Sequence, residues 1–175
     1  MRDTGIPRGG APRRRLQRNA WRAAIRGKRF VIIASAFHAA ISRALLRGAM
    51  RVLRRSGVPE ADIRLLWVPG AFELPVVAAR ATRVRPRPDA VIALGAIIRG
   101  GTPQYAVLAQ AVATGLSQVS VQTGIPVTCG VIVAQTLAQA RARAGGSAGH
   151  RGEEAARAAL EVLQLFHGRQ PVEHP

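Results

Sequence analysis

Four short runs, FVIIAS at 30–35, IRLLWV at 63–68, AVIALGA at 90–96 and VTCGVIVA at 127–134, are β-rich and almost continuously apolar. Strands that stay apolar at both alternating faces are strands covered on both sides. Between and after them, Ile, Leu, Val and Ala recur every three or four residues, which predicts helices over His38–Arg55, Phe72–Val84, Gln104–Gln122, Thr136–Ala144 and Gly152–Phe166. The order βαβαβαβαα calls for a parallel sheet, because parallel neighbours need crossover connections and those crossovers cover both faces. The expected fold class is α/β, a three-layer α/β/α sandwich around a four-stranded parallel sheet. Ligands of such sheets bind beyond the carboxyl ends of the strands, where the strand order reverses.

At 175 residues the chain has room for one core and not for two. It holds four Phe, two Trp and one Tyr, so small aliphatic side chains must fill the interior. No apolar stretch reaches the roughly 18 residues of a membrane-crossing helix, and no membrane is expected among its partners. Lys and Arg number 26 against nine acids, a net +17, and 25 of the 26 are Arg. Residues 1–29 alone carry ten basic residues and one acid, with Gly and Pro interspersed. Residues 1–28 are therefore expected to form a disordered basic arm, 29–168 the domain, and 169–175 a tail. The arm lacks the apolar core of a secretory signal and is poor in Ser and Thr, so a cytoplasmic protein is expected. The lone Cys129 leaves no intrachain disulfide or paired-cysteine metal site, and no metal is expected.

Three strand ends carry residues that packing does not demand. At Ala36-Phe37-His38 a ring leaves the sheet as the next helix begins, which suits either a ligand or a hydrophobic staple. In VPGAFELP at 68–75, Gly70 lets backbone approach a ligand. Glu73 there stands in a first helical turn, where its charge suits the dipole and its oxygens can accept hydrogen bonds from a polyol. In GAIIRGGTPQ at 95–104, the two adjacent glycines Gly100 and Gly101, a threonine and a helix start near Pro103 offer backbone N–H groups to an anion. A fourth segment, 141–156, is a glycine-rich bend holding Arg141, Arg143 and Arg151. It reads either as a basic helix terminus set against the dipole or as a bidentate phosphate holder.

In their order and spacing, VPGAFELP at 68–75, ALGAIIRGGTP at 93–103 and ARAGGSAGHRGEEAA at 142–156 resemble the lumazine synthase family of riboflavin biosynthesis. The resemblance spans about Arg29 to Phe166, and it implies a flavodoxin-like fold. It also implies condensation of 5-amino-6-(D-ribitylamino)uracil with 3,4-dihydroxy-2-butanone 4-phosphate to 6,7-dimethyl-8-ribityllumazine, with loss of water and phosphate and with no cofactor. By the same resemblance Phe37, with His38 beside it, would stack on the pyrimidine, and Ala71, Phe72 and Glu73 would meet the ribityl chain. Backbone groups of Ala96, Ile97 and Ile98 would read the polar edge of the heterocycle. Gly101, Thr102 and Arg143 would hold the phosphate. Sites of this family lie between neighbouring copies of a pentamer, so Cys129 and Arg143 would reach the ligand from the adjacent chain. Pentamers, decamers or sixty-subunit cages, with riboflavin synthase as a further partner, follow from the same comparison.

The chain departs from the family where the chemistry is most exposed. The family pattern RGxTxH reads here as RGGTPQ, placing Gln104 at the position of the general acid/base histidine. Glutamine can orient a substrate but cannot carry a proton near neutral pH. Ala106, Cys129 and Ser147 replace an acidic or polar residue, a ring and a lysine, and Phe37-His38 replaces Phe-Asn. A slower enzyme is expected, with Gln104 and Arg143 as the residues nearest the chemistry. His38 and His150 are weighed as substitute proton carriers, the latter read as solvated. Cys129 is read as a small core residue, His167 and His174 as inert, and Glu154 as an acceptor near Gln104. The competing reading is a noncatalytic, shell-forming or polyanion-binding relative using the basic arm. Nucleic acid is not expected as a partner.

Overall fold

The structure, a computed structural model, describes residues 25–166. The arm up to residue 24, His167, His174 and the tail at 169–175 lie outside the described residues. β1 (Phe30–Ser35) is buried along its whole length. It pairs in parallel with β2 (Ile63–Val68) on one side and β3 (Ala90–Ile98) on the other, and β4 (Val127–Ala134) pairs with β3. The order is β2-β1-β3-β4. α1 (Ala39–Ser56), α2 (Leu74–Arg83) and α3 (Gln104–Thr123) make the three crossovers, and α4 (Leu137–Arg143) and α5 (Arg151–Phe166) follow β4.

Strand period two sorts the core into two layers. Phe30, Ile32, Ile92 and Leu94 face Leu45 and Leu53 of α1 and Leu160 and Leu163 of α5. Val31, Ile33, Val91 and Ala93 face Leu74 and Ala78 of α2 and Val112 and Leu116 of α3. The molecule is the expected three-layer α/β/α sandwich. α1 stops at Gly57, whose φ of 93° is left-handed, and Val58 N–H reaches back to the Leu53 carbonyl at 3.1 Å. α5 starts against α1, and a Cβ on Gly152 would strike the Leu45 backbone. That close approach is what a glycine permits.

Three expectations change. β2, expected to be covered on both faces, is a sheet edge on which Leu65 and Trp67 are exposed. β3 runs two residues past Ala96, because β4 continues to pair with it through Ile98 and Ala134. α2 begins at Leu74 and not Phe72, because Gly70 N–H donates to the Glu73 carboxylate at 2.8 Å and closes a turn first. No described helix is long and apolar enough to cross a membrane.

Candidate active site

The strand order reverses at β1, which has β2 on one side and β3 on the other. Beyond the carboxyl ends of these strands lies a cleft of about 350 Å³, a size usual for small-molecule sites. Phe37 and His38 line it after β1, Gly70–Glu73 after β2, Ala96–Ile98 from β3, and Gly100, Thr102, Gln104, Tyr105 and Leu108 from the following loop and the start of α3. Three segments far apart in sequence meet here because a parallel sheet brings all its carboxyl ends to one rim.

Phe37 is 79% exposed and meets His38 edge-on, with centroids 4.9 Å apart and planes at 81°. A staple would be covered, so this ring is presented to solvent and cleft. Phe72 is exposed as well, whereas Ala71 and the backbone of Ala96 and Ile97 form a buried floor. Glu73 is half-buried; one carboxylate oxygen accepts the Gly70 N–H and the other has no partner among the described residues. Gln104 is exposed at the first position of α3, and its amide makes no hydrogen bond with the described residues.

Several expected residues stand elsewhere in this chain. Gly101 does not line the cleft, although Gly100 and Thr102 do. Cys129 is half-buried on β4, opposite Ala93, and packs with the layer under α3. Arg143 lies outside the cleft. Its Nη1 donates to the Ala148 carbonyl at 2.6 Å and its Nη2 to Glu154 at 2.9 Å, which pins the guanidinium to the bend between α4 and α5. Glu154 is thus held by Arg143 and Arg151 and not by Gln104. Burial alone would raise its pKa, but the hydrogen bonds from Arg151 and Arg143 outweigh it and leave the carboxyl below its ordinary value. His150, expected to be solvated, instead lays its ring over Gly48 and Gly145, with Nδ1 buried and unpartnered among the described residues. Burial lowers its pKa, aided by Arg51 and Arg47 against Glu153.

Tyr105 and Leu108 line the cleft and escaped the reading of the sequence, whereas Gly100 is one of the two glycines read there as an anion cradle. The signal for both is helical spacing: Leu108 lies four places after Gln104 and three after Tyr105, the two spacings that share a side of α3. Among the described residues no Arg or Lys lines the cleft.

The profile described as 6,7-dimethyl-8-ribityllumazine synthase matches residues 27–167. A protein of that name from Gemmatimonas aurantiaca is 46% identical over 145 residues, covering 83% of this chain and 88% of the relative. One from Desulfotalea psychrophila is 44% identical over 144 residues, covering 82% and 92%. One from Leuconostoc mesenteroides is 40% identical over 139 residues, covering 79% and 88%. Each of these relatives bears the name of the enzyme, which does not favour the shell reading.

Proposed function

The chain belongs to the 6,7-dimethyl-8-ribityllumazine synthase family, and from that premise we propose that its cleft joins the ribitylaminouracil and the butanone phosphate to form the lumazine. One observation carries the reading: the segments at 37–38, 70–73 and 96–105 line a single cleft at the point of strand reversal. In it Phe37 stacks on the pyrimidine and Glu73, with Ala71 and Phe72, takes the ribityl hydroxyls. The backbone at Ala96, Ile97 and Ile98 reads the ring's polar edge. Thr102 takes the phosphate, with Gly101 beside it outside the cleft lining, and Arg143 of an adjacent copy supplies its counter-charge, with Cys129 of that copy beside the ligand. The unit is the domain at 29–168, assembled in the cytoplasm as pentamers or multiples of them.

The replacement of histidine by Gln104 is read through magnitudes. General acid–base catalysis is typically worth about 10²–10⁴-fold, or about 3–5 kcal/mol at 1.4 kcal/mol per decade. Holding two reactants in attacking geometry supplies about 7–11 kcal/mol. Positioning is the larger contribution, so the cleft turns over without a histidine at 104, but slowly. Water relays the protons that glutamine cannot carry. Purified full-length protein incubated with both substrates, followed by lumazine absorbance, tests this. Saturable formation above the uncatalysed rate is expected, and a rate equal to background refutes the assignment.

A further inference from the structure

We propose that Tyr105, the chain's one tyrosine, is a hydrogen-bond donor to the phosphate-bearing substrate, oriented by Gln135 and Arg99; the proposal rests on the condensation assigned above. Tyr105 lines the cleft one residue after Gln104 and is half-buried. Its phenolic oxygen lies 3.1 Å from Nε2 of Gln135, and Oε1 of Gln135 lies 3.2 Å from Nη1 of Arg99.

Donor and acceptor chemistry sets the direction of this chain of contacts. A guanidinium only donates, so the side of Gln135 turned to Arg99 is its carbonyl oxygen, and the side turned to Tyr105 is its NH₂. An amide nitrogen accepts nothing, so the phenolic oxygen is the acceptor. The O–H of Tyr105 is left without an acceptor among the described residues. Gln135 is itself held: its backbone N–H donates to Oε1 of Gln139 at 2.8 Å, and the Gln139 N–H donates to the Thr136 hydroxyl that caps α4. Arg99 is anchored by its N–H on the Ala134 carbonyl at 2.9 Å. The relay therefore spans the paired ends of β3 and β4 and holds the phenol against the first turn of α3. That turn follows Thr102, the end of the cleft given to the phosphate ester.

Tyr105→Phe removes the hydroxyl and nothing else. The KM for 3,4-dihydroxy-2-butanone 4-phosphate should rise about three- to tenfold, the usual worth of one hydrogen bond, with kcat nearly unchanged and the KM for the uracil unmoved. Gln135→Glu keeps the tyrosine and pairs more strongly with Arg99. Having only acceptors, it turns the phenolic hydrogen onto itself and away from the substrate. It should reproduce the Tyr105→Phe loss, and the double variant should lose no more than either single one. Because Gln135→Glu leaves the aromatic packing intact, it gives a result even if Tyr105→Phe misfolds. An active wild type with unchanged KM in either variant overturns the role of Tyr105 and leaves the condensation standing. A wild type no faster than background removes the condensation, and this role with it.

Discussion

Gln104 and Phe37 are the two side chains on which the reaction's chemistry and its geometry can be separated. Gln104 stands exposed at the start of α3 with its amide unengaged among the described residues, so a larger ring can enter there without displacing a packed neighbour among them. Gln104→His should raise kcat by about 10²-fold, the lower end of what a positioned acid/base contributes, as measured by steady-state lumazine formation. A fall in kcat would mean that the site has been rebuilt around the amide. Phe37 is 79% exposed, so Phe37→Ala should leave the unfolding free energy within about 0.5 kcal/mol of wild type. The loss of one aromatic stack, about 1 kcal/mol, should raise the KM for the uracil about fivefold. Both residues were legible in the sequence, because each sits where a strand pattern gives way to a helical one. Tyr105 was not, since its partner Gln135 comes from the segment after β4 and only the paired strand ends bring it between Tyr105 and Arg99.

Local sequence decided the elements wherever local chemistry ended them. β1, β2 and β4 run over the residues that their apolar runs mark, whereas the last two residues of β3 belong to it only because β4 extends alongside. The bend from α4 to α5 depends on longer-range packing. The His150 ring sits on Gly48 of α1, and Gly152 touches the backbone of Leu45, contacts no window of sequence announces. Gly152→Ala should lower stability by about 1–3 kcal/mol through overpacking against a backbone that cannot yield, read by denaturant unfolding. His150 titrates below its ordinary value in the folded chain, so the unfolded chain binds the proton more readily. Its contribution is complete above about pH 6.5 and is lost as the pH falls from there through the lower folded value. The drop in Tm between about pH 7.5 and about pH 5.5 should therefore be smaller in His150→Gln than in wild type. Glu154, also lowered, acts in the same direction in a more acidic window, below the ordinary carboxylate range.

On the scale of the whole molecule, the described residues of one chain offer a cleft without an Arg or Lys and place Arg143 outside it. Arg143 is pinned in its bend by Ala148 and Glu154, and among the described residues no Arg or Lys lines the space proposed to receive a phosphate. Apolar side chains on α3 and β4, among them Val107, Val121 and Val133, are exposed on one chain, as surfaces awaiting a neighbour are. The α/β architecture could be read from strand and helix periods; the proposed division of the site between copies could not, because no period in one chain records its neighbour. The most direct measurement mixes two variants that should each be inactive alone: Phe37→Ala with Glu73→Ala, which spoils the cleft, and Arg143→Ala, which spoils the donated cation. In a closed ring with random mixing, about one quarter of the sites combine an intact cleft with an intact arginine, so about a quarter of wild-type turnover should return after co-assembly. A mixture as inactive as its two components would contradict a site shared between copies.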